Sequence, residues 1–166
     1  MNNLSHMAIA AEFISNSNIR LIQQLLEEYN CSQLSLFLKT APTNFTLSKN
    51  DSVQVSIFPS NTARETSLER VRTAILAKKL STENNALEFT EEEVSKIFAR
   101  NPNAEHFDLI ILAGASQNSL ANNFIIDANY AEFYLSSKIY NKDFFDITEI
   151  RNAIQVYENS QRNFGS

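Results

Sequence analysis

The apolar positions of this chain fall into short continuous runs separated by stripes of helical spacing. Residues 8–13, AIAAEF, form an apolar run that reads as a buried strand, and Ser15, Asn16, Ser17 and Asn18 behind it all suit a helix cap. From Ile19 the period changes. Ile19, Ile22, Leu26 and Tyr29 share one helical face, Gln23, Gln24, Glu27 and Glu28 take the others, and Asn30 is placed to stop the helix. Residues 34–38 read as a second strand, so strand, helix and strand follow within about thirty residues, the crossover unit of parallel sheets. After a polar loop over 41–52, Val53, Val55 and Ile57 alternate with Gln54 and Ser56 as a strand.

The second half repeats the alternation. Residues 63–79 predict a central helix with Leu68, Val71, Ile75 and Leu76 inward and Arg64, Glu69, Arg72 and Lys79 outward. Residues 81–88 are a linker, and Thr90 with Glu93 has capping-box spacing for a short helix that Asn101-Pro102 ends. Residues 107–112 form a strand that enters a polar turn at Gly114, and a second apolar stretch ends in YAEFY at 130–134. Asp146 and Glu149 open a closing helix whose inner stripe is Ile147, Ile150, Ile154 and Tyr157. This order predicts an α/β fold over 1–166 as one domain, a parallel sheet with helices on both faces.

Composition narrows the chemistry. A formal charge of −5, with Lys and Arg scattered, gives no basic face for nucleic acid. No run reaches the ~20 apolar residues of a spanning helix, and the start lacks a signal-peptide pattern, so membrane contact is expected only through a partner or a missing segment. Cys31 alone excludes an internal disulfide and reads as a core residue. His6 and His106 have no zinc-type spacing to another ligand, and no metal site is expected. The only glycines are 114 and 165, which leaves no glycine-rich phosphate loop. Ser116 lacks the flanking glycines of a nucleophile elbow, and Glu91-Glu92-Glu93 is a solvated first turn.

The DLII run at 108–111, Gly114, Gln117, the YAEFY block and the terminal Phe164-Gly165 resemble, in this order, the carboxy-terminal part of the cis-prenyltransferases. Members of that family, the undecaprenyl and dehydrodolichyl diphosphate synthases, read DLLIRTGGEQRLSNFLLWQLAYSEFYF there and finish in RRFGG. The resemblance implies their fold in reduced form. It also implies a degenerate site. Glu12 stands where the family has a magnesium-binding aspartate, and Phe13-Ile14-Ser15-Asn16 replaces its glycine-bearing diphosphate loop. Residues 60–66, SNTARET, resemble NYGGREE, and especially the GRET form of accessory subunits of the Nogo-B receptor type, with Arg64 as the matching cation. Leu112, and Asn118 or its neighbour, fall where the resemblance implies two diphosphate-binding arginines, and residues 39–52 are too few and too polar to replace the helices that wall the product tunnel.

Glu132 matches a magnesium-associated glutamate but stands without its aspartate and arginines, and is assigned to a dimer contact with Tyr130, Phe133, Tyr134 and Phe144. The tail, Asn163, Phe164, Gly165 and Ser166, resembles the Arg-x-Gly tail that accessory subunits insert beside a partner's diphosphates; the glycine equally suits a helix C-cap. The resemblance therefore implies a non-catalytic accessory subunit of a heteromeric enzyme making polyprenyl (dolichol-type) diphosphate, in a heterodimer or heterotetramer. Magnesium is then expected in the catalytic partner and no cofactor in this chain. A cytoplasmic location follows, at the endoplasmic reticulum surface in a eukaryotic source. Two alternatives stand beside it: a compact homodimeric short-chain prenyltransferase using Glu12, Arg64 and Glu132, and an interaction protein that kept only the fold.

Overall fold

A computed structural model describes residues 3–46, 51–59, 62–81, 88–93, 107–114 and 131–164, excepting the side chains of 62–68, 70, 81 and 161–164. Five strands form one sheet in the order β3-β2-β1-β4-β5, every neighbouring pair parallel. They are β1 (His6–Ala11), β2 (Gln33–Leu38), β3 (Gln54–Pro59), β4 (Leu109–Ala113) and β5 (Glu132–Ser136). Helix α1 (Asn16–Glu28) joins β1 to β2, α2 (Thr62–Ser81) follows β3, and α3 (Ile147–Phe164) closes the chain.

The first strand starts two residues earlier than its apolar run suggests. His6 enters it because the Asp108 carboxylate accepts from the amides of Ser5 (2.8 Å) and His6 (2.9 Å) and from the Ser5 hydroxyl (2.7 Å), tying the starts of β1 and β4 together. Its ring is buried, 2.8 Å from the Ser35 hydroxyl and 4.7 Å from the Phe107 ring, which is a structural role. Helix α1 starts three residues before Ile19, with Ser15 as its N-cap accepting from the Asn18 amide. Asn30 ends it with φ of +56°, a left-handed conformation that asparagine tolerates.

Register explains the core. Val55, Leu34, Met7 and Leu109 lie level across the sheet, as do Ile57, Leu36, Ile9 and Ile111, and both rows pack with α1 and α3 in the larger core. Ile150, Ile154 and Tyr157 supply the α3 stripe as its spacing predicted, joined by Ala153, while Ile147 is only half-buried against the core. The opposite face carries Phe37, Ala8, Ala10, Ile110 and Leu112 in a second core with Phe107. The chain runs β1-β2-β3 in one direction and returns past β1 to β4, so the right-handedness of parallel crossovers puts the connection bearing α2 on that second face.

Two side chains depart from the pattern. Gln23, assigned to an outer face, is buried because its amide donates to the Val53 carbonyl (3.0 Å) and so holds the β2–β3 connection on α1. Leu76, assigned inward, is 61% exposed, because the half-buried stripe of α2 runs through Val71, Ala74, Ile75 and Lys78 instead. The capping box at Thr90 and Glu93 is present, with each residue's side chain accepting from the other's amide at 3.2 and 2.9 Å. Among the described residues no helix is long and apolar enough to cross a membrane.

Candidate functional site

In an open parallel sheet the crevice for a ligand lies at the carboxyl ends of the strands where strand order reverses. Here that point is between β1 and β4, beyond Ala11 and Ala113. Glu12 leaves β1 there, exposed to solvent, and lines a cleft of about 220 Å³ with Phe13, Thr40, Asn141, Lys142 and Asp143. The loop after Glu12 does not form an anion cradle. The Phe13 amide donates to the Tyr140 carbonyl at 3.1 Å, and Ile14 is buried in the core, so bulky side chains and a committed amide stand where a diphosphate loop needs converging free ones.

The segment 137–146 crosses the crevice as a strap. No helix follows β5 until Ile147. Tyr140 is its anchor: the ring is fully buried, its hydroxyl donates to the Asp146 carbonyl at 3.0 Å, and Phe145 packs on it at 5.2 Å. Desolvation by burial raises the Tyr140 phenol pKa far above its ordinary value. Lys138 ties the strap to the start of α3 through Asp146 at 2.7 Å, with Glu149 at 3.6 Å. That hydrogen bond from Lys138 lowers the Asp146 carboxyl and raises the Lys138 ammonium. Asp146 also caps α3 by accepting from the Thr148 amide at 3.0 Å.

Leu112, expected to replace a diphosphate-binding arginine, is 1% exposed and packed in the second core. Glu132 lies at the other end of the sheet. It is level with Leu109, which is level with Met7, and Glu12 lies about 16 Å further along the strand direction at ~3.3 Å per residue. The two glutamates therefore cannot share one metal ion within this chain, and the described residues hold no cluster of three or more His, Cys, Asp or Glu suited to a metal. The Glu132 carboxylate meets the Ser160 hydroxyl at 2.5 Å instead. Sequence spacing gave no signal for this pair.

Of the residues expected at a dimer face, Phe133 (37%) and Phe144 (42%) are exposed, joined by Leu135 and Ile139, which that expectation left out. Tyr134 turns to the other face, where it packs on the main core with its hydroxyl near Glu149 at 3.4 Å. Arg64 lies in the first turns of α2, and Asn163 and Phe164 in the last turn of α3. Asn118, Tyr130, Gly165 and Ser166 lie outside the described residues.

No protein-family model and no curated protein matches the chain. Solved structures do. A probable undecaprenyl diphosphate synthase from Campylobacter jejuni aligns at a TM-score of 0.53 and 19% identity, over 96% of this chain and 97% of that one. Lavandulyl diphosphate synthase from Lavandula x intermedia, solved with dimethylallyl diphosphate, aligns at 0.51 and 15% identity, over 93% and 95% of the two chains. The parallel five-stranded sheet with its helices is thus the cis-prenyltransferase fold.

Proposed function

We propose that this protein is a non-catalytic accessory subunit of a heteromeric cis-prenyltransferase that makes a polyprenyl diphosphate of the dolichol type. The observation that carries the reading is the burial of Leu112 at the switch point of a cis-prenyltransferase fold. A diphosphate needs fixed cations, and this position is committed to the apolar core. The Phe13 amide bonded to the strap and the small cleft beside Glu12 point the same way.

In this reading the catalytic partner holds magnesium and both substrates, and this chain supplies residues 163–166 to the partner's diphosphate region. The exposed Phe133, Leu135, Ile139 and Phe144 provide the apolar surface for the contact. Attachment to the endoplasmic reticulum, in a eukaryotic source, comes through the partner or through sequence beyond these residues. Incorporation of radiolabelled isopentenyl diphosphate tests the proposal, with this protein alone and with a catalytic cis-prenyltransferase from the same source. Product is expected only from the mixture, above the partner's own level. Product from this protein alone would instead establish the compact homodimeric enzyme, and no stimulation of the partner would leave an interaction protein that kept the fold.

A further inference from the structure

Strand β5 and helix α3 run antiparallel and are joined at both ends by a serine–glutamate pair with the residue types exchanged. Near the start of α3, Ser136 of the strand donates to Glu149 of the helix at 2.9 Å. Near its end, Ser160 of the helix meets Glu132 of the strand at 2.5 Å. Both rungs fit at once for a geometric reason. Four residues of strand span about 13 Å, while eleven residues of helix span about 16 Å and return to the same face within about 20°.

Ile150, Ala153, Ile154 and Tyr157 fill the space between the rungs and set how close the helix lies, but apolar contacts set its rotation less sharply. The Ser160 hydroxyl has one proton and two acceptors within reach, the Tyr157 carbonyl at 2.7 Å and the Glu132 carboxylate at 2.5 Å. The charged and nearer acceptor takes it in place of the usual backbone partner of a helical serine. A carboxylate held in the sheet by the Glu132 amide bond to the Asp108 carbonyl (2.9 Å) gives the last turn a fixed reference instead.

We propose that Glu132 is a positioning residue: through Ser160 it fixes the rotation of the last turn of α3, and with it the direction in which residues 163–166 leave the domain. It does not act as a metal ligand. The local claim stands on the β5–α3 geometry; its consequence for catalysis rests on the accessory-subunit reading.

Hydrogen exchange on the full chain tests the local claim without a partner. Glu132→Ala and Ser160→Ala should each speed exchange of the amides over 157–164 by about tenfold, leaving those of β1 and β2 unchanged. Glu132→Gln keeps an acceptor oxygen and should stay near wild type. The exchanged pair Glu132→Ser with Ser160→Glu rebuilds the rung in the sense that Ser136 and Glu149 already use, and should recover most of the protection. Wild-type exchange in both alanine variants overturns the proposal. Should the exchanged pair fail to fold, the alanine and glutamine variants still decide.

In the stimulated complex, both alanine variants should lower turnover without changing its magnesium requirement. A raised magnesium requirement in Glu132→Gln, absent in Ser160→Ala, would show metal ligation and overturn the positioning role. If no partner is stimulated, the accessory reading fails while the exchange result stands by itself.

Discussion

Ile139 lies so closely over Gly114 that a methyl group on the glycine would stand 2.8 Å from Ile139 Cγ1, with φ at Gly114 already at +73°. The strap is thus seated on the end of β4 by a contact that only glycine permits. The Gly114 amide completes the seat by donating to the Ser136 carbonyl at 2.9 Å. Gly114→Ala should cost about 2 kcal/mol, roughly half from the left-handed backbone and half from the clash. Urea denaturation measures it, and adding Ile139→Ala should return the steric half. A double variant no more stable than Gly114→Ala would place the whole cost in the backbone.

Leu112→Arg would restore the family's cation in name only. Its side chain would enter the apolar cluster of Ala8, Ala10, Phe37 and Ile110, and an unpaired buried charge there should cost about 3 to 5 kcal/mol. Glu12→Ala, on the exposed side of the crevice, should stay within about 0.5 kcal/mol of wild type. Denaturation midpoints compare the two. A stable Leu112→Arg protein would mean that position 112 can turn to the crevice, and the loss-of-site argument would fall.

Tyr157 is held neutral by desolvation first, and then by the nearby Asp108 and Glu132 carboxylates, which push its phenol up to about 12. The sign follows from linkage. An unfolded tyrosine ionises at about 10, so the stabilising effect is complete below that pH and is lost as pH rises toward 12. Base unfolding followed by circular dichroism should therefore begin between about pH 10 and 12, with phenolate absorbance rising in step. Tyr157→Phe should move that midpoint upward. An unchanged midpoint would assign base unfolding to other groups, with Tyr140 next in line.

What could be read from the letters divides along physical lines. β1, β2 and β4 were legible as short apolar runs because both their faces are buried, β3 as an alternation, and α3 as the stripe Ile150, Ile154, Tyr157, which only a helix satisfies. Asn30 was legible because helix stops use few residue types, while Ser15 was one of four equal cap candidates that composition alone does not separate. Leu76 was not, since two apolar stripes on α2 compete and periodicity does not say which one is covered. The strap was illegible for another reason: Tyr140 joins the main core from an irregular segment whose carbonyl is held by the amide of Phe13, more than a hundred positions away. Glu132 shows the limit of motif matching. Its letter survives at a familiar position, while its carboxylate is committed to Ser160, a partner that no spacing rule connects to it.

Removing residues 161–166 is the variant that tests the tail most directly, because the structure indicates what it spares. The deletion begins after Ser160, so the Glu132 rung and the buried stripe through Tyr157 remain, and the domain should keep its fold and its affinity for the partner. Turnover of the mixed enzyme should nevertheless fall by about a hundredfold, the low end of the scale seen when a positioned donor to a developing charge is removed. Affinity measured beside turnover separates the causes. A loss of both would place the tail in the interface, and unchanged turnover with intact binding would leave Gly165 as a helix cap and move the stimulating contact to Phe133, Leu135 and Phe144.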